Sequence, residues 1–88
     1  MEHIVSSKIE NVGEFEYYLT KTIVDDVETY GVAVKSINDS YIEMVEDIWT
    51  EKEPILEFIN RIAKDRVTCS QLPELCEEFA EELYSFWF

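Results

Sequence analysis

From Phe15 to Val24 the chain alternates. Phe15, Tyr17, Leu19 and Ile23 fall on one side, with Lys21 the exception, while Glu16, Tyr18, Thr20, Thr22 and Val24 fall on the other. A period of two among aromatic and β-branched residues predicts a strand with one buried face. A shorter run from Ile4 to Ile9 precedes it, separated by the turn chemistry of Asn11-Val12-Gly13. Asp25-Asp26 breaks the alternation, which resumes from Thr29 to Ile37 with Tyr30, Val32 and Val34 opposite Gly31, Ala33 and Lys35. Asn38-Asp39 then provides a tight connection to a strand from Tyr41 to about Glu46. Gly31 costs stability inside a strand and marks a bulge or the close approach of another backbone. Because every connection is short, the simplest topology is an antiparallel meander of three to four strands.

The period changes in the second half. Ile55, Phe58, Ile59 and Ile62 recur at helical spacing, Leu56 widens the stripe, and Glu57, Asn60, Arg61 and Lys64 are left to face water. Thr50 and Glu53 have capping-box spacing, and Pro54 fits a first turn, where a missing N–H costs least. Arg61, Lys64 and Arg66 collect at the end that the helix dipole favours for cations. After an extended link at Val67-Thr68-Cys69-Ser70, with Ser70 as N-cap, a second stripe follows: Leu72, Leu75, Cys76, Phe79 and Leu83. Its other side carries Glu74, Glu77, Glu78, Glu81 and Glu82.

Those glutamates oppose the helix they sit on. Three like-charge pairs four residues apart cost a few tenths of a kcal/mol each, about 1 kcal/mol together. Burial of Leu72, Leu75, Phe79 and Leu83 is worth roughly 1.5–3 kcal/mol apiece, so the helix forms because it docks. The expected fold is α+β: the meander followed by a two-helix hairpin packed on one face of the sheet, in a single domain spanning residues 1–88.

Composition narrows the functional classes. Twelve of the 88 residues are aromatic (two Trp, five Tyr, five Phe), which argues against disorder despite a net charge of −13. Residues 67–88 hold five acids and no base, and they end in Ser85-Phe86-Trp87-Phe88. Charge of this sign repels phosphate and anionic lipid and speeds encounter with basic surfaces, although solubility alone would also account for it. The start of the chain has no basic segment followed by an apolar run, and no stretch reaches the roughly 18 apolar residues of a membrane span. A reducing cytoplasm fits this and the sparse cysteines.

The order of residues also resembles a family. Tyr30-Gly31-Val32-Ala33-Val34, a further strand, an Ile-rich helix, then Val67-Thr68-Cys69-Ser70-Gln71-Leu72 leading into an acidic helix with Phe79 are similar to small proteins of unknown function from clostridia and related Firmicutes. There a Tyr-Gly-Val/Ile strand precedes two helices, the second following a Val-Ser-Pro-x-x-Leu-like link, where this chain has Thr68-Cys69 for Ser-Pro. The resemblance implies the same fold and a bacterial cytoplasm, and it implies no activity.

The residues offer little for catalysis. The single His3 lies near the terminus, and Cys69, just before a helix, has no histidine to activate its thiol. Cys76 falls on the apolar stripe and reads as core, and two cysteines with one histidine fall short of a zinc set. Glu43, Glu46, Asp47 and Glu51 form the least regular acidic cluster and read as a solvated rim. Gly-rich phosphate loops and calcium loops are absent, so no catalytic residue, cofactor or metal is expected. The expectation is a non-enzymatic regulatory or adaptor domain that binds a protein partner, a basic one being best suited to the charge, and neither membrane nor nucleic acid directly. Glu74, Glu78, Glu81, Tyr84, Phe86, Trp87 and Phe88 are its candidate surface. The aromatics could instead close the domain's own core, or support a homodimer. The alternative function is a nucleic-acid mimic, its glutamates imitating a phosphate row to inhibit a DNA-binding protein.

Overall fold

The computed structural model describes residues 3–87, and the backbone alone of His3, Phe86 and Trp87. Four strands, β1 (His3–Val12), β2 (Phe15–Val24), β3 (Val27–Ser36) and β4 (Tyr41–Trp49), form one antiparallel sheet in the order β1-β2-β3-β4. Helices α1 (Lys52–Lys64) and α2 (Leu72–Trp87) follow, the latter entered through a short 3-10 turn at Cys69–Gln71. The predicted meander and helix pair are therefore the architecture, with four strands.

Turns set the hairpins. Asp25 and Asp26, both in the left-handed region (φ 51° and 66°), make the two-residue connection whose twist suits a β-hairpin, and short acidic side chains tolerate that conformation. β1 runs past its expected end. Asn11 and Val12 pair with Glu16 and Phe15, and the turn falls at Gly13-Glu14, with Gly13 at φ 60°. A bulge between Lys8 and Glu10 absorbs the extra length and lets Ile9 reach the core.

β4 also runs beyond the predicted Glu46, to Trp49, and the reason lies on its neighbour. Val32 pairs with Val45, yet two residues back along β3 Tyr30 pairs with Trp49, so β4 carries extra residues opposite Gly31. Asp47, at φ 58°, takes up the distortion. The backbone of Val45 and Glu46 presses directly onto Gly31, where a Cβ would lie 2.7 Å from the Glu46 Cα. The glycine expected to mark a bulge or a close approach marks both.

The core lies between the sheet and the helices. Tyr17, Leu19, Val32 and Val34 from the strands meet Ile55, Phe58, Ile59 and Ile62 of α1 and Leu72, Cys76, Phe79 and Leu83 of α2. Phe58 and Phe79 stack between the helices at 4.3 Å. α1 begins at Glu51 as N-cap without a side-chain capping bond, so the Thr50–Glu53 box does not form. Extending β4 to Trp49 draws Thr50 into the bend that follows it.

Candidate interaction surface

The position of α2 is set before the helix starts. At the end of α1 the Arg66 N–H donates to Ala63 O (3.1 Å) and the Val67 N–H to Ile62 O (3.0 Å), with Arg66 left-handed at φ 54°. This is a Schellman closure with arginine in the place glycine usually takes. The buried Tyr17 hydroxyl donates to Val67 O at 2.8 Å and ties the link to the sheet. The next anchor is Cys69, whose thiol donates to Val34 O at 3.3 Å. Thr68, not Ser70, then starts the helical run: its N–H donates to Gln71 Oε1 at 2.9 Å, and the Gln71 N–H to Thr68 O at 3.1 Å. Anchors on either side of Thr68 fix the chain two residues earlier than Ser70, which is why the cap moves.

With Leu72, Cys76, Phe79 and Leu83 buried, the spacing of α2 turns Glu74, Glu77, Glu78, Glu81 and Glu82 outward, and all five are exposed. Glu78, Glu81, Glu82 and Ser85 lie together on one open face of the helix. Glu74, at the first turn, is exposed but apart from that group. Tyr84 is 59% exposed, and its ring meets Trp49 of β4 edge-on at 5.8 Å and 89°. Phe88 and the side chains of Phe86 and Trp87 lie outside the described residues. The structure thus brings Glu78 and Glu81 together and presents Tyr84 on the same helix. Glu82, Ser85 and Trp49 were missing from the expected surface. The glutamate spacing could have supplied Glu82, whereas nothing local pairs Trp49 with a residue 35 positions away.

The remaining chemistry is quiet. Cys69 borders a cavity of about 400 Å³ shared with Glu14, Asn38, Asp39 and Tyr41, but burial pushes its thiol pKa up, the opposite of activation. Burial pushes the Cys76 thiol further, to about 12. Of the acidic rim, Glu43 accepts a hydrogen bond from the Tyr41 hydroxyl at 2.9 Å, while Glu46 and Asp47 are exposed at the β4 bulge. Among the described residues no three His, Cys, Asp or Glu side chains gather to hold a metal ion. No described helix is long and apolar enough to cross a membrane. The His3 side chain lies outside the described residues.

Residues 2–82 match the profile of a family described as a family of unknown function (DUF6514). No curated protein and no solved structure matches the chain.

Proposed function

The chain belongs to this family of unknown function, and we propose that it is a non-enzymatic protein-interaction domain, of the regulatory or adaptor kind, that docks a basic partner on the outer side of α2. The observation that supports this reading best is the presentation of Tyr84. An aromatic ring 59% exposed beside an open acidic helix face, braced edge-on by Trp49, offers anchoring area without first having to be ordered. The glutamates around it supply long-range attraction, which sets encounter rate and orientation, while the ring supplies contact area that is worth most once water is excluded. Phe86, Trp87 and Phe88 extend the anchor in this reading. A bacterial cytoplasm belongs to the same proposal, since the two cysteines are free and buried and would remain thiols there.

The row of outward glutamates also favours a second reading, a nucleic-acid mimic that blocks a DNA-binding protein, though most of the chain's acids lie outside α2. One experiment separates the two. The tagged chain is used to capture partners from its own host's lysate at low and high salt, alongside a Glu74→Gln, Glu78→Gln, Glu81→Gln triple variant and Tyr84→Ala and Trp87→Ala variants. A partner that survives high salt, binds the triple variant more slowly and is lost with either aromatic supports the adaptor. DNA-binding proteins that vanish at high salt and with the triple variant, yet tolerate both alanines, support mimicry. A partner indifferent to all three variants refutes both.

A further inference from the structure

The two edges of the sheet are built differently. β4 forms one edge and carries the devices that discourage a further strand: a bulge opposite Gly31, a left-handed Asp47, and the acids Glu43, Glu46 and Asp47. β1 forms the other edge and carries none of these between His3 and Lys8. That stretch pairs with β2 in regular register, holds no acid and no proline, and the β1 bulge begins only after Lys8. Half of its backbone N–H and C=O groups point away from β2, where the sheet has no further strand.

The side chains leave this edge open as well. Ile4 and Val5 are 41% and 45% exposed, and Ser6, Ser7 and Lys8 are exposed with them. Ile4 pairs with Thr22 on the open side of the sheet, whereas Val5 and Ser7 pair with Lys21 and Leu19 on the helix side, so α1 does not reach over the edge. The charges here are matched. Lys8 binds Glu16 at 2.7 Å, Lys21 binds Glu28 at 3.5 Å, and the cleft beside Val5 and Ser7 adds Lys52. In a chain of net charge −13, another copy can approach this stretch without meeting an excess of carboxylates.

We propose that β1 pairs antiparallel with β1 of a second copy, making a dimer with one continuous sheet. Antiparallel pairing of identical strands follows from a two-fold axis normal to the sheet, which keeps the helices of both copies on one face. With the axis through Ser6, Val5 lies opposite Ser7 and Ile4 opposite Lys8, so apolar area is buried and no charge meets its like. Assembly stops at two, because both edges left outside are β4, with its bulge and its acids. The pairing buries less than the roughly 800 Å² per partner of a standard interface, so the dimer is weak, with a Kd on the order of 10–100 µM. α2 lies over β4, at the far edge, so the dimer and the proposed function can fail separately.

Sedimentation equilibrium of the full chain at low and high salt, joined to amide hydrogen exchange, tests this. The expected result is a monomer–dimer equilibrium that tightens with salt, as repulsion between two acidic chains is screened. Exchange at residues 4–8 should slow as concentration rises. Ser6→Asp and Ser6→Lys each set like charges face to face across the axis and should weaken the dimer about fivefold, the second although it lowers the net negative charge. Ser6 is exposed, and thermal melts check that both variants stay folded. A chain that stays monomeric to about 1 mM overturns the proposal, as does a dimer that salt loosens or that ignores both Ser6 variants. Species that grow beyond the dimer overturn it too. So does a dimer lost with Tyr84→Ala or Met44→Lys, which would place the interface on α2 or on the open face of the sheet.

Discussion

Replacing Gly31 with alanine tests the sharpest packing claim in the structure. On strand propensity alone the change should help, since glycine inside a strand costs roughly 0.5–1 kcal/mol relative to alanine. The surroundings reverse that sign. The added Cβ would lie 2.7 Å from the Glu46 Cα, 2.8 Å from Thr20 Oγ1 and closer still to the Val45 carbonyl oxygen. Ordinary carbon contacts sit at about 3.5–4.0 Å, so two of the three overlaps are near 1 Å and involve backbone, which cannot rotate away. Relief requires lifting the β4 bulge off β3, which breaks the register between Val32–Val45 and Tyr30–Trp49 and withdraws Ile48 and Trp49 from the core edge. Overpacking costs about 1–3 kcal/mol where side chains can adjust, and more where they cannot. After the propensity gain, the expected net loss is about 2–4 kcal/mol.

Urea unfolding followed by tryptophan fluorescence measures this loss, and a domain of this size should also melt roughly 10–25 °C lower. Gly13→Ala is the control. Gly13 has φ +60° and nothing within 4 Å of an added Cβ, so its cost is conformational only, about 1–2 kcal/mol. A Gly31→Ala protein within about 0.5 kcal/mol of the parent would refute the close approach of β4, because strand propensity cannot offset overlaps of this size. Equal losses at both glycines would also count against it, reducing a steric effect to backbone freedom.

Three further outcomes follow from single contacts. Tyr17→Phe removes the buried hydrogen bond to Val67 O and should cost about 1–2 kcal/mol in urea unfolding. The folded-state pKa of Cys76, raised from 9.0 to about 12, makes its stability contribution full below pH 9 and lost as pH rises toward 12. The slope is at most about 1.4 kcal/mol per pH unit, and Cys76→Ala should remove it from an alkaline unfolding series. Glu16 is held below its ordinary value of 4.5, first by the hydrogen bond from Lys8 at 2.7 Å and then by that from Tyr18. Its contribution is therefore present above pH 4.5 and lost as pH falls through the lowered value, and Glu16→Gln should flatten the acid limb of the stability profile.

Features with a local period were legible from the chain alone. The alternation along β2, the stripes of α1 and α2 and the outward glutamates each repeat within one element, and each appears where the spacing puts it. What escaped depends on contacts between distant residues. β4 reaches Trp49 only because Gly31, on another strand, admits its bulge. The N-cap moved to Thr68 because Tyr17 and Val34 hold its neighbours Val67 and Cys69, 50 and 35 residues away in sequence. Thr50 and Ser70 both have sound capping chemistry, so local preference could not decide between competing starts. The Trp49–Tyr84 contact and the buried Thr22 hydroxyl left no trace in the pattern, since each arises from how the sheet bends.

The acidic row of α2 separates local cost from use. Glu74–Glu78, Glu77–Glu81 and Glu78–Glu82 are like-charge pairs four apart, and no basic residue lies on the helix to offset them. Glu81 also sits toward the C-terminal end, where the dipole disfavours an anion. The Glu74→Gln, Glu78→Gln, Glu81→Gln variant relieves all three pairs, gives up the favourable first-turn charge of Glu74, and should be more stable by about 0.5 kcal/mol, because the buried stripe that docks the helix is untouched. Thermal melts at low and high salt check this: screening weakens the repulsion in the parent chain, so the gain should shrink as salt rises. No gain at low salt would mean that the carboxylates do not strain the helix, and their placement would then need no use to explain it. A gain accompanied by lost partner binding would mean that the row serves recognition at the expense of the helix that carries it.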